Sequence, residues 1–247
     1  RCMDCATPSC SYANQGGGGC PLGNRIPEWA DLVHADDWKK ALENLLETCN
    51  FPEFTGSTCA APCEQSCVLG INEEPVTIKT IEHAIIEQGF AHGWVKPQIP
   101  TCSTGKRVAI VGSGPCGLTA AQQLNKAGHE IIVFDRNERP GGLLMYGIPN
   151  MKLDKSAVTR RIEMLEQEGI VFRCGVEVSD SSEVSMASLL RDFDSVLLTT
   201  GATQPRGPSE LQGGDLKNIV QAVDFLASCS NHVADPAWPA PDAEGKN

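Results

Sequence analysis

The stretch VAIVGSGPCGLTAAQQLNKAGHEIIVFD, residues 108–135, leaves few choices of fold. An apolar run from Val108 to Val111 is followed at once by Gly112, Gly114 and Gly117 in the pattern G-x-G-x-x-G. An amphipathic segment then runs to about Ala127, and a second apolar run, Ile131 to Phe134, ends at Asp135, 18 residues past Gly117. Strand, glycine turn, helix and strand in this order specify the start of a dinucleotide-binding fold. The first glycine permits the tight turn, the second lets backbone amides approach a pyrophosphate, and the third lets the helix pack closely on the strand. The phosphates meet the positive end of the helix dipole, and the acidic residue accepts a hydrogen bond from a ribose hydroxyl. The candidate cofactor residues are therefore Gly112, Ser113, Gly114, Pro115, Cys116, Gly117 and Asp135. The motif alone does not separate FAD from NAD.

Downstream, the pattern continues with a helix from Ser156 to Glu168 and strands at Ile170–Phe172 and Val196–Thr199. Strands alternating with helices imply an α/β, doubly wound parallel sheet. Upstream the chain is helical. Ile26 to Asn50 carries a helical pattern, with Asp36 as the expected cap before DWKKALENLLETC and with Trp38, Ala41, Leu42, Leu45 and Cys49 on one stripe. A further helix is expected from Thr77 to Gln88, and FPEFTGSTCAAPCEQSCVLG between them reads as loop-rich. KPQIPTCSTG reads as a linker. The expected organisation is a helical domain over 1–104, a dinucleotide domain over 105–229, and a proline-rich linker or tail over 230–247.

Twelve cysteines are spread unevenly over the 247 residues. Cys2, Cys5, Cys10, Cys20, Cys49, Cys59, Cys63 and Cys67 fall in the first 67, in the spacings C-x2-C-x4-C and C-x3-C-x3-C, whereas Cys102, Cys116, Cys174 and Cys229 are scattered. Packing as small apolar side chains accounts for the last three. Disulfides, zinc and iron–sulfur clusters all use closely spaced thiols. A dinucleotide fold with no secretory leader points to a reducing compartment, where clustered thiols hold metal, and eight thiolates could fill two zinc sites. Iron–sulfur clusters take electrons singly while a nicotinamide delivers hydride, so clusters beside this fold would make FAD, which handles both, the sensible first cofactor.

Charge excludes one class of partner. The formal net charge is −11, and up to Gly105 there are 6 basic residues against 13 acidic ones, with 14 against 18 after it. An acidic front and no Lys/Arg cluster argue against nucleic acid. No run approaches the roughly 18 apolar residues of a membrane span. A chain beginning at Arg1 reads as a segment of a longer polypeptide; the expected location is the cytoplasm, or a plastid if a targeting segment has been removed.

On the helix from Thr77, Ile78, Ile81, Ile85 and Ile86 define an apolar face, and at about 100° per residue Glu82 falls within it, about 40° from Ile78. A carboxylate there is costly unless paired. Two readings stand: a buried salt bridge, or a ligand completing a set of eight with seven cysteines once Cys49 is given to the core.

The runs GCPLGNRIPEWADLV, NFPEFTGSTCAAPCEQSCVLGINEEPVTIKTIEHAI, VAIVGSGPCGLTAA and RPGGLLMYGIPNMKLDK, in this order, closely resemble the small (beta) subunit of glutamate synthase, or the matching C-terminal region of the single-chain NADH-dependent enzyme. The resemblance implies an N-terminal helical domain with two [4Fe–4S] clusters, followed by an FAD domain interrupted by an inserted NAD(P)H domain. It assigns Cys2, Cys5, Cys10 and Cys67 to one cluster and Cys20, Cys59, Cys63 and Glu82 to the other. The nine residues SYANQGGGG between Cys10 and Cys20 exceed the family's spacer. For the flavin it adds the loop Gly141, Gly142, Leu143 and Leu144 and the turn Thr200, Gly201, Ala202 and Thr203; Asp135 stands where the family commonly has glutamate.

The family continues into a second glycine-rich fold for NAD(P)H beyond the point where this sequence stops, so the chain by itself is expected not to oxidise NAD(P)H. The implied partner is the large subunit or region carrying FMN and the amidotransferase. The implied role is electron input from NAD(P)H through FAD and the clusters, for glutamate formation from glutamine and 2-oxoglutarate, with no acid, base or nucleophile of its own. Two alternatives remain: the equivalent segment of a dihydropyrimidine dehydrogenase, which typically carries glutamine at position 82 and a longer spacing than that between Cys59 and Cys63, and a zinc-stapled nucleotide-binding module without redox activity.

Overall fold

A computed structural model describes residues 1–12, 18–202, 204–205, 207, 212–214, 216 and 219–239. Thr203, most of the glycine-rich insert and the last eight positions of the expected tail lie outside the described residues. The chain divides into two units, Arg1–Lys96 and Pro97–Asn247; the division falls at the start of the stretch read as a linker.

In the first unit, the helical pattern from Ile26 to Asn50 forms α1 (Ile26–His34) and α2 (Trp38–Leu46). The break is Asp36, whose φ of 62° turns the chain out of the helix. Asp37, not Asp36, caps α2, its carboxylate accepting from the Lys40 amide at 3.2 Å. Asp36 instead accepts from the Trp38 indole at 2.8 Å. The stretch read as loop-rich holds α3 (Pro52–Thr58), α4 (Pro62–Gln65) and a single 3₁₀ turn, Val68–Ile71. Both helices begin at proline, which is pre-set for a first helical turn and hides their start from apolar periodicity. Helix α5 (Ile78–Ala91) runs past the expected end at Gln88. Trp29, Leu42, Leu45, Cys49, Ile78, Ile85 and Ile86 form the core, each at most 2% exposed. Burying each such aliphatic side chain is worth about 1.5–3 kcal/mol.

The second unit is built on β1 (Arg107–Val111), β2 (Glu130–Asp135), β3 (Val171–Cys174) and β4 (Ser195–Leu198), all parallel in the order β3-β2-β1-β4. Helix α6 (Pro115–Lys126) joins β1 to β2; α7 (Leu143–Tyr146) and α8 (Lys155–Gln167) lie between β2 and β3, and α9 (Met186–Asp192) between β3 and β4. Ile110, Leu118, Ile131, Val133 and Leu165 are fully buried around the sheet. The order places β1 beside both β2 and β4, with ligand space at the carboxyl ends of the strands. Helix α10 (Ala222–Ala234) enters the stretch expected as a tail from 230. Arg139 donates to Asn231 at 2.7 Å and anchors that turn, and Pro236 prevents further extension.

Candidate metal and nucleotide sites

Cys2, Cys5, Cys10 and Cys67 line one cavity, closed by apolar groups including Ile26, Leu69, Val76 and Ile78. Three of these thiols come from the irregular segment of residues 1–12 and one from the short link between α4 and the 3₁₀ turn. Ser11 fastens that segment to α1, its hydroxyl accepting from the Ile26 amide at 3.3 Å. Burial pushes the Cys10 thiol up, and the adjacent Cys67 and Cys2 act in the same direction. Such thiols stay protonated unless a cation holds them as thiolates.

Cys20 reaches a second neighbourhood. Its amide donates to the Cys10 carbonyl at 2.7 Å, while the Gly19 amide donates to the Pro62 carbonyl at 3.3 Å, which sets Cys20 beside the first turn of α4. Burial first, then the closeness of Cys20, pushes Cys63 to about 12; Cys59 adds a smaller push. Cys59 follows α3 directly, its sulfur accepting from the Ala61 amide at 3.3 Å. Lys79 of α5 donates to the Cys59 carbonyl at 3.2 Å. Among the described residues no three His, Cys, Asp or Glu side chains converge tightly enough to share one metal ion. Four thiols around one cavity supply the donor set that a [4Fe–4S] cluster or a structural zinc takes.

Glu82 is 7% exposed, on the face shared with Ile78, Ile85 and Ile86. Its Oε1 accepts from the Thr55 hydroxyl, with the Cys49 sulfur at 4.0 Å. Burial raises its carboxyl above the ordinary 4.5, opposed by the Thr55 hydrogen bond. Among the described residues Glu82 forms no ion pair. No hydrogen bond joins it to Cys20, Cys59 or Cys63 among those residues; Thr55 lies one turn of α3 before Cys59, whose amide donates to the Thr55 carbonyl at 2.9 Å. Cys49 belongs to the core, and burial, then the nearby Glu82, pushes its thiol to about 12.

In the second unit the glycine turn has the geometry of a phosphate cradle. Gly112 has φ of 106°, and a Cβ there would lie 2.4 Å from the Thr199 carbonyl oxygen; at Gly117 a Cβ would lie 2.0 Å from the Gly112 oxygen. At Gly114, before α6, a Cβ would meet nothing within 4 Å. That open space in front of a helix amino terminus is what a pyrophosphate needs. Gly142 packs against the same turn, so near that a Cβ would sit 2.8 Å from the Gly114 Cα. Leu143, Pro115, Cys116, Thr200, Gly201 and Ala202 are exposed. Cys116 is thus not a packing residue as expected: it stands on the outer side of the first turn of α6.

Asp135, 7% exposed, is already engaged. Oδ2 accepts from the amide (2.8 Å) and hydroxyl of Ser113; Oδ1 accepts from the amide (2.8 Å) and side chain (2.9 Å) of Asn137. These donors use the four lone-pair positions of the carboxylate, so a ribose hydroxyl would have to displace one. The spacing that singled out Asp135 carries no sign of Ser113 or Asn137 as its partners.

Residues 1–94 match the family described as dihydropyrimidine dehydrogenase domain II, 4Fe-4S cluster, and residues 110–159 match an NAD(P)-binding Rossmann-like domain. The glutamate synthase [NADPH] small chain of Bacillus subtilis is 50% identical over 100% of this chain and 51% of its own length. That of Mycobacterium tuberculosis is 51% identical over 92% of this chain and 44% of its own. The glutamate synthase [NADH] of Schizosaccharomyces pombe is 50% identical over 95% of this chain and 11% of its own length. The chain thus spans about half the length of the bacterial small chains it matches. Over nearly its whole length it is similar both to glutamate synthase small chains and to a segment of the NADH-dependent glutamate synthase.

Proposed function

We propose that this chain is the electron-input segment of a glutamate synthase, carrying two [4Fe–4S] clusters in its first unit and FAD in its second. The observation that carries the reading is the cavity ringed by Cys2, Cys5, Cys10 and Cys67 in a region that matches a 4Fe-4S family. Cys20, Cys59, Cys63 and Glu82 are proposed to hold the second cluster. In the second unit, the amides at the start of α6 and the open face of Gly114 would take the pyrophosphate. Gly142 and Leu143 would cover the cofactor from one side and Thr200, Gly201 and Ala202 from the other. Asp135 and Ser113 would keep the glycine turn in shape beneath it.

When bound, FAD takes electrons in pairs and clusters pass them singly, so the set converts hydride input from NAD(P)H into one-electron steps. The chain's own residues bind, space and shield these groups. The partner would be the larger subunit or region, carrying FMN and the amidotransferase, where glutamine and 2-oxoglutarate become glutamate. The relatives named above, at about 50% identity, are glutamate synthases, which favours this reading over the dihydropyrimidine dehydrogenase alternative.

Anaerobic purification with iron, sulfide, zinc and flavin analysis tests the reading. About eight iron atoms per chain, two cubanes' worth, with bound FAD and broad visible absorption is the expected result. A colourless protein holding two zinc ions per chain would establish the zinc-stapled module instead.

A further inference from the structure

Helices α3 and α5 touch backbone to backbone at one point. A Cβ added at Gly56 would lie 2.8 Å from His83 Cβ, 2.9 Å from its Cα and 3.0 Å from its amide nitrogen. A side chain there would therefore have to push the helices apart, since backbone atoms on α5 cannot swing away as a flexible side chain can. The two residues immediately before this contact, Thr55 on α3 and Glu82 on α5, are the pair joined by the hydroxyl-to-carboxylate hydrogen bond. Cys49 lies against the same hydroxyl, sulfur to oxygen 3.3 Å. Both contacts to the carboxylate fall on Oε1. Thr55 is also one turn before Cys59 on α3, so the helix that supplies a thiol to the second site supplies the brace for its carboxylate.

A glutamate side chain has three rotatable bonds, and a carboxylate ligand left free to sample them would bind iron poorly. Resting on the reading that Glu82 is a ligand of the second cluster, we infer that Thr55 is its positioning residue: the hydroxyl fixes Oε1, leaving Oε2 for iron, and Gly56 permits the helix contact that brings the hydroxyl within reach. Carboxylate ligands are generally oriented by a hydrogen bond of this kind, and loss of such a partner costs about 10–100-fold in metal affinity. The arrangement also accounts for the core position of Cys49, a thiol that completes the hydrogen-bonded row without joining the ligand set.

The test compares Thr55→Val, which keeps the side-chain shape and removes the hydroxyl, with Thr55→Ser, which restores it, in the intact protein purified without oxygen. Iron release to an excess of chelator and the electron paramagnetic resonance spectrum of the reduced protein are read together. In Thr55→Val, about four of the iron atoms should leave at least about tenfold faster, with an altered signal from one cluster only. Thr55→Ser should follow the unmodified protein in both measurements. Gly56→Ala, read in the same way, should resemble Thr55→Val through the separated helices. If Thr55→Val does not fold, Thr55→Ala takes its place in the comparison. Unchanged release and spectrum in a folded Thr55→Val or Thr55→Ala protein, while Glu82→Leu loses a cluster, would overturn the positioning role alone. Unchanged iron in folded Glu82→Leu would remove the ligand reading beneath it.

Discussion

Ser113 and Asp135 are bound to each other twice: the amide and the hydroxyl of Ser113 both donate to Oδ2 of the buried Asp135 carboxylate. The same hydroxyl accepts from the Gly141 amide at 3.1 Å, so one carboxylate ties the glycine turn, the end of β2 and the Gly141–Gly142 loop into a unit. Replacing Asp135 by alanine would leave the Ser113 amide unsatisfied in a buried place and the Asn137 amide in a half-buried one, and the flavin-free protein should lose about 3 kcal/mol of stability. Denaturant unfolding of flavin-free protein checks this. A variant of unchanged stability with weakened FAD binding would mean that the carboxylate acts on the ribose and not on the turn.

The three glycines of the turn should fail differently when changed to alanine. Gly114 has φ of −66° and free space before its Cβ, so Gly114→Ala should fold normally and lose flavin. Gly112→Ala and Gly117→Ala would drive a methyl group into backbone oxygens at 2.4 Å and 2.0 Å and should unfold at lower temperature whether or not flavin is present. Thermal unfolding and flavin content, measured on the three variants side by side, separate the two modes.

Glu82→Leu keeps helix propensity and the apolar face of α5, so it should fold and yet carry about four fewer iron atoms, one cubane's worth. Glu82→Gln should lose less, because an amide oxygen can still coordinate. Iron and sulfide assays on anaerobically purified protein give the answer. Full iron content in both variants, with a change only in thermal stability, would reduce Glu82 to a buried hydrogen-bonded carboxyl.

Asp194 accepts from the Arg107 amide at 2.9 Å and from the Lys106 ammonium at 2.8 Å, closing the start of β4 onto the start of β1. The amide hydrogen bond first, then the bond from Lys106, hold its carboxyl below the ordinary 3.8. A depressed carboxylate contributes stability above 3.8 and loses it as pH falls through the lower folded value. Asp194→Asn should therefore be the less stable protein at neutral pH, with the difference closing as acid is added below 3.8. A gap that persists at lower pH would show that the charge is not its source.

The second unit was legible because its signals are local. A strand, a glycine turn and a helix occupy adjacent residues, and the four expected strands stand within two residues of those found at either end. Glu82 could be placed on a buried face by helical angle alone. Its partner could not, because nothing in the spacing of Thr55 and Glu82 reports that Gly56 lets two helices meet there. Asp36 has the composition of a cap but the backbone of a turn, a choice settled by where the chain must go next. Helices α3 and α4 are too short to show periodicity, and α9 is set by the reciprocal bonds of Ser185 and Ser188 more than by any apolar stripe.

The thiol ring also sets an order in time. Cys2, Cys5 and Cys10 are synthesised before Cys67, and the cavity they line is incomplete until Cys67 has been added, with α1 and α2 already made in between. A nascent chain therefore exposes three quarters of a ring before its fourth member exists. Closing it joins residues 65 positions apart, an entropic cost that grows only slowly with the length of the intervening loop. The helices made in the meantime shorten the search, since the Ser11 contact to Ile26 anchors the leading segment at α1. The first unit is in that sense finished late, by a residue that leaves the ribosome after more than half of that unit.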